Sequence, residues 1–221
     1  MEIRIFPCNF IQVNTILLYD ETGEAVIIDP GMATEEEQHQ VAQFVNQHQL
    51  MVKSIIVTHP HIDHTIGCGW AVRTFAAPLL MHKDGLPVYE HNVAYGVAFN
   101  MDCTKEDFPQ PDVFLKEGDR ITFGHQELQV MEAPGHCAGS VLLYHKAEGL
   151  LFVGDLVFQG SVGRSDLPTG DSETLLESIR SKVLPLPDDT VIFPGHGPST
   201  TLDAEKMDNP FFRIVLNRNN P

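Results

Sequence analysis

The chain opens with β-type runs at Ile3–Phe6 and Asn14–Tyr19. A third, Ala25–Asp29, follows the Glu21-Thr22-Gly23 turn signal and ends in Pro30-Gly31, so the pattern predicts strand, turn, strand. Thr34 followed by Glu35, Glu36 and Glu37 is a helix start, a capping hydroxyl with acids in the first turn. Apolar residues Val41, Ala42, Phe44 and Val45 continue it at helical spacing to about Gln49. Ser54–Thr58 reads as a short buried strand running straight into His59, followed by a helix over Thr65–Phe75 and a short strand at Leu79–Met81. From Lys83 to about Asp112 the periodicity is weak and Gly and Pro recur, which predicts helix plus irregular loop. Strands follow at Arg120–Phe123, Glu127–Glu132, Val141–Tyr144 and Leu150–Val153. The last elements are a helix Glu173–Val183 capped by Asp171 or Ser172, a strand Thr190–Phe193 and a short helix Leu202–Met207. Strands punctuated by helices in both halves, with no repeat and no low-complexity linker, suggest packed sheets with helices outside in one domain, 1–221.

Composition changes this picture little and excludes several functions. Of the 221 residues, 43% are hydrophobic and 20% charged, the profile of a folded globular chain. Lys plus Arg is 14 against 30 for Asp plus Glu, a net charge of −16, which disfavours nucleic acid as a partner. The first residues, MEIRIFPCNF, lack the features of a secretory signal, and no segment approaches a membrane span. Cys8, Cys68, Cys103 and Cys137 are widely spaced without a CxxC pair, so four reduced thiols in a cytoplasmic protein are expected.

The chemistry concentrates in His59-Pro60-His61-Ile62-Asp63-His64, three imidazoles and a carboxylate just past an apolar strand. These are ligands for divalent zinc, iron or manganese, and burying them together without a cation would be costly. His59 and His61 can chelate one ion, and Asp63 and His64 face a second direction. Three further fragments share the same address of strand ends and glycine turns: Pro134-Gly135-His136-Cys137-Ala138-Gly139-Ser140, Val153-Gly154-Asp155, and Phe193-Pro194-Gly195-His196-Gly197-Pro198. Strand ends on one edge of a sheet system converge in space though distant in sequence.

In this order the motifs resemble the metallo-β-lactamase superfamily, from Ile28-Asp29-Pro30-Gly31 through the HxHxDH run, PGHCAGS, FVGD and PGHG. The stretch Gly163-Arg164-Ser165-Asp166-Leu167-Pro168-Thr169-Gly170-Asp171 is similar to the glyoxalase II-like branch, the hydroxyacylglutathione hydrolases. The resemblance implies an α+β fold, a four-layer αββα sandwich with the metal site at one edge of the two sheets. It implies that His59, His61 and His136 hold one ion, that Asp63, His64 and His196 hold the second, and that Asp155 bridges them. Zinc is favoured, with iron or manganese as alternatives. Asp29 fits two roles, orienting a ligand histidine or capping a turn. Two departures stand out. Only 25 residues follow His196, so the chain is expected to resemble the short single-domain members, without the helical C-terminal extension that carries glutathione-binding residues in full-length glyoxalase II. Cys137 stands where the branch commonly has threonine.

The implied function is a dinuclear hydrolase in which a metal-bridging hydroxide attacks a thioester, S-lactoylglutathione or a related hydroxyacyl thioester, with Asp63 orienting the hydroxide. The alternative is a mononuclear iron dioxygenase acting on a persulfide, with His59, His136 and Asp155 as its triad. A lactamase is disfavoured by the branch resemblance, and RNA cleavage by the acidic charge. A site closed to substrate would mark a non-catalytic metal module. Arg164 is the candidate contact for a substrate carboxylate, or else a structural partner of Asp166. The aromatic set Tyr89, Tyr95 and Phe99, with His91, fits either core packing or a wall over the metals. Phe211, Phe212, Ile214, Val215 and Leu216 can dock on the chain's own core or on a neighbour; oligomeric state is not legible.

Overall fold

The computed structural model describes residues 1–99 and 101–217. Two six-stranded sheets pack face to face. The first runs in the order β1 (Glu2–Cys8), β2 (Val13–Tyr19), β3 (Glu24–Ile28), β4 (Met51–Ile56), β5 (Leu79–His82), β6 (Val113–Leu115). The second has β7 (Arg120–Phe123), β8 (Gln126–Glu132), β9 (Val141–His145), β10 (Leu150–Gly154), β13 (Val191–Pro194) and β14 (Thr200–Thr201), β7 and β14 at its edges. Between β10 and β13 lies a small hairpin, β11 (Val157–Phe158) with β12 (Ser161–Val162).

Alternation within the strands builds the layers. In β3, Val26 and Ile28 face the second sheet while Ile27 faces outward helices; in β9, Val141 and Leu143 face the first sheet while Leu142 and Tyr144 face the other way. Both faces of these strands are apolar because both are covered. Outside the first sheet lie α1 (Glu35–Gln47) and α3 (Cys68–Phe75). Outside the second lie α6 (Ser172–Ser178), continued by a π-helical turn Ile179–Val183, and the C-terminal α8 (Pro210–Asn217). The layer order is therefore helix, sheet, sheet, helix, as expected. α1 begins with a full capping box between Thr34 and Glu37, and Asp171 rather than Ser172 caps α6, accepting from the Thr174 N–H at 2.7 Å. The C-terminal segment packs on the chain's own core through Phe212 and Val215.

Two stretches differ from expectation. The helix expected over Thr65–Phe75 is two pieces, α2 (Ile62–Thr65) and α3, because the chain turns at Gly67. A Cβ at Gly67 would lie 2.7 Å from the Pro30 carbonyl, which accepts the Gly67 N–H at 2.8 Å. The Lys83–Asp112 stretch holds α4 (Leu86–Tyr89) and α5 (Asn92–Phe99), and then β6, whose three residues are too short to show a period. α7 (Leu202–Asp208) falls where the short helix was expected.

The topology places one set of strand ends together. β3, β4, β5 and β6 are parallel, as are β10 and β13, so their C-terminal ends emerge on one edge of each sheet. The two sheets are stitched there by the Asn14 N–H, which donates to the Gly195 carbonyl at 2.6 Å; within the second sheet the Gly195 N–H continues the pairing of β13 with β10 by donating to the Gly154 carbonyl at 2.7 Å.

Candidate metal centre

Every histidine and aspartate of the four sequence fragments arrives at that edge. His59 follows β4 and His61 lies just before α2, which carries Asp63 and His64 on its single turn. His136 follows β8 through a glycine turn, Asp155 follows β10, and His196 follows β13. The ligand atoms of His59, His61 and His136 lie within 4.8 Å of one another, and so do those of Asp63, His64 and His196. In the first trio, His136 Nε2 and His61 Nδ1 are 2.9 Å apart. In the second, Asp63 Oδ2 is 3.2 Å from His196 Nε2 and 3.4 Å from His64 Nε2. Asp155 stands between the trios: Oδ1 is 3.4 Å from His64 Nε2, and Oδ2 is 3.7 Å from both His136 Nε2 and His196 Nε2.

These groups fit a pair of cations. His59 Nε2, His64 Nε2 and Asp155 Oδ1 are buried without a hydrogen-bond partner, and an orphaned buried polar atom costs about 1–3 kcal/mol. All three face this one space, where cations would satisfy them together. The chain is also cut back around them. A Cβ at Gly195 would lie 2.3 Å from Asp155 Oδ1 and 2.6 Å from His64 Cε1. A third close group, Asp29 with His59 and His64, is an orienting network, because its carboxylate is already engaged by Thr58 and by His64 Nδ1.

Each imidazole except His61 has its second nitrogen tied to an acceptor, which fixes the ring and leaves the other nitrogen as a lone pair. His64 Nδ1 donates to Asp29 Oδ2 at 2.9 Å, His136 Nδ1 to the Arg164 carbonyl at 2.7 Å, and His196 Nδ1 to the Ile11 carbonyl at 3.2 Å. His59 Nδ1 lies 3.1 Å from Thr58 Oγ1, whose hydroxyl donates to Asp29 Oδ2 at 2.7 Å. Asp29 thus orients His64 directly and His59 through Thr58, and it caps no helix among the described residues. Thr58 and the two carbonyls escaped sequence reasoning. Thr58 was visible as the residue before His59, whereas a carbonyl leaves no mark in the sequence.

The two trios differ in charge. Burial and the neighbouring imidazoles push His59 and His136 down, and His61 to about 4, so the first trio offers neutral nitrogens. For His64 and His196 burial also opposes the charge, but Asp63 and Asp155, joined at His64 by Asp29, prevail and raise both. The same imidazoles hold Asp63 and Asp155 below the usual carboxylate range against burial. Protons therefore compete with cations at the second trio at higher pH than at the first. On acidification from pH 7.5, metal content followed by elemental analysis should fall to one equivalent before it falls to zero. Simultaneous loss of both would contradict the assignment of charge.

Above the trios opens a cleft of about 830 Å³ lined by Ile11, Val88, Tyr95, Phe158, Leu167 and Pro168 among others, so the site is open to a small molecule. Arg164 sits at its rim, 61% exposed, with its guanidinium paired to Asp166 at 2.7 and 2.9 Å. Of the aromatic set, Tyr95 lines the cleft while Tyr89 is core, its hydroxyl donating to the Pro109 carbonyl at 3.0 Å. The side chain of Phe99 lies outside the described residues. Cys137 is buried beside Ser140, and burial pushes its thiol up to about 12. All four cysteines are unpaired.

Residues 8–196 match the metallo-beta-lactamase superfamily, and the chain belongs to it. Members are typically metal-dependent hydrolases. A curated relative from Haemophilus influenzae, hydroxyacylglutathione hydrolase GloC, is 34% identical, with 96% of this chain and 98% of that one covered. Among solved structures, TTHA1623 in a di-iron-bound form has a TM-score of 0.84 at 36% identity, covering 94% of this chain and 99% of that one. BLEG-1 B3 metallo-beta-lactamase has a TM-score of 0.83 at 33% identity, covering 95% and 99%.

Proposed function

We propose that this chain is a glyoxalase II-like hydrolase of hydroxyacyl thioesters, with S-lactoylglutathione the first substrate to test. The observation that carries the reading is the pair of ligand trios, joined by Asp155, on the floor of an open cleft. His59, His61 and His136 would hold one divalent ion, Asp63, His64 and His196 the other, with Asp155 shared; zinc is favoured, with iron and manganese compatible with the same donors. Bound there, two such ions lower the pKa of water from about 15.7 to about 7 and polarise the thioester carbonyl. The protein's part is positional. Asp63, anionic and turned into the site, accepts a hydrogen bond from the attacking water and aims it at the carbonyl. Asp29, Thr58 and the carbonyls of Ile11 and Arg164 hold the imidazoles in one tautomer. The sulfur leaves as a thiolate, a weak base, so the walls need supply no proton. The functional unit is the whole chain taken as one domain. Its partner is a small-molecule thioester rather than nucleic acid or a membrane, and the four unpaired cysteines favour the cytoplasm. Among the described residues no helix is long and apolar enough to cross a membrane.

The test combines metal analysis with turnover of acyl thioesters, a β-lactam, and a glutathione persulfide under an oxygen electrode. Two metal equivalents with chelator-sensitive thiol release support the reading. Full metal occupancy without thioester turnover sinks it. One iron with oxygen uptake would establish the persulfide dioxygenase instead, and β-lactam opening alone would establish a lactamase. Arg164 remains the rim cation proposed to meet a substrate carboxylate, at the expense of its bond to Asp166. Exchanging one exposed ion pair for another is worth about 0–1 kcal/mol, so Arg164→Ala should raise KM for an acidic thioester no more than about fivefold. Steady-state kinetics on matched acidic and neutral thioesters checks this, and an unchanged KM removes Arg164 from the site.

A further inference from the structure

The cleft walls and the cleft floor differ in kind. The floor holds the imidazoles and carboxylates, whereas the wall is mostly apolar, formed by Ile11, Val88, Tyr95, Phe158, Leu167 and Pro168, with Gln159 as its uncharged polar member. At the mouth, Ile11 is 43% and the adjacent Phe10 67% exposed. That exposure is built into the loop between β1 and β2. Asn9 Nδ2 donates to the carbonyls of Gly31 and Asp63, each at 3.0 Å, and the Ile11 N–H donates to Asn9 Oδ1 at 3.0 Å. With the Ile11 carbonyl holding His196, the isoleucine is fixed at the mouth by four hydrogen bonds and cannot fold away. Among the described lining residues the one Lys or Arg is Arg164, already neutralised by Asp166. The wall thus offers apolar area, and its one cation, Arg164 at the rim, gains at most about fivefold by exchanging Asp166 for a substrate carboxylate, within a chain of net charge −16. A glutathione conjugate carries two carboxylates that must lie several ångströms from the reacting carbonyl, where this wall would desolvate them unpaired.

Resting on the thioester reading above, we propose that the substrate arm lying along this wall is uncharged and apolar, so that the chain prefers hydrophobic acyl thioesters of a neutral thiol to glutathione conjugates. Burying one methylene is worth about 0.8 kcal/mol, so specificity should climb two- to fourfold for each carbon added while the wall is being filled.

The experiment uses the metal-loaded protein and two series: acetyl to hexanoyl thioesters of N-acetylcysteamine, and one lactoyl group carried on N-acetylcysteamine or on glutathione. Non-hydrolysable thioether analogues of the first series are titrated by calorimetry in parallel. Expected are a kcat/KM rising at least about 15-fold from acetyl to hexanoyl, a parallel fall in Kd for the thioethers, and no preference for glutathione. In Ile11→Asp the rise should shrink below fivefold; Leu167→Asp provides a second disruption of the same wall. A flat chain-length series, or a tenfold preference for glutathione, overturns the inference while leaving the hydrolase reading intact. Thioethers that bind more tightly with length, with no thioester cleaved, would defeat the hydrolase reading and keep the apolar arm.

Discussion

Asp155→Ala should lower kcat/KM toward any thioester by on the order of 10²–10³-fold and leave fewer than two metal equivalents on the protein. The expectation follows from position. Asp155 is the one carboxylate that faces both trios, with Oδ1 toward His64 and Oδ2 toward His136 and His196. Its Oδ1 has no well-formed hydrogen bond, and its buried charge is offset mainly through space, by the imidazoles of His64, His136 and His196. Alanine would remove the one anion that faces both trios, so that cations held by the two trios would no longer share a neutralising ligand. The fold should survive. β10 ends at Gly154, and the contact that continues its pairing with β13, Gly195 N–H to the Gly154 carbonyl, is made by backbone atoms. Circular dichroism should therefore be unchanged while elemental analysis and thioester kinetics are not. Two retained equivalents with wild-type kcat/KM would show that the trios do not depend on a shared ligand.

What the sequence revealed of this centre was its chemistry; what it concealed was the scaffolding. His59 to His64 are legible because four ligand side chains within six positions have no cheap burial without a cation. His136, Asp155 and His196 are legible as strand-end residues, since β10 and β13 announce themselves by apolar runs and β8 by alternation. Sheets with helices outside were legible from strands punctuated by helices in both halves, and the four-layer order from the resemblance of the motifs to the metallo-β-lactamase superfamily. The carbonyls of Ile11 and Arg164 orient two ligands, yet any residue type supplies a carbonyl. β6 is three residues long and β14 two, too short for a period. The break between α2 and α3 arises from a close approach of Gly67 to Pro30, a tertiary contact that helical spacing does not encode. Arg164 carries two readings in the sequence, a contact for a substrate carboxylate or a structural partner of Asp166; the fold pairs its guanidinium with Asp166 and, by a contact no side chain announces, turns its carbonyl to His136 Nδ1.

Asp29→Asn isolates the orienting network from the ligands themselves. Asp29 is buried and sits at φ +50°, a left-handed conformation that asparagine adopts as readily as aspartate, so the backbone should tolerate the change. The carboxylate accepts three hydrogen bonds: from the Thr58 N–H and the Thr58 hydroxyl, each at 2.7 Å, and from His64 Nδ1 at 2.9 Å. An amide can keep the first through its oxygen, but its NH₂ then confronts the hydroxyl and the imidazole N–H, two donors with nothing to donate to. The cheapest relief for His64 is to move its proton to Nε2, the nitrogen that faces Asp63 and Asp155. That occupies the lone pair a cation needs. Metal affinity at the Asp63, His64 and His196 trio should fall about 10- to 100-fold, the usual consequence of losing a partner behind a ligand. The effect on His59 is indirect, through Thr58 Oγ1, so the His59, His61 and His136 trio should lose less. Titration with a competing chelator resolves the two sites. A selective weakening of one equivalent is expected, and equal weakening of both would mean that Asp29 acts on the fold as a whole rather than through His64.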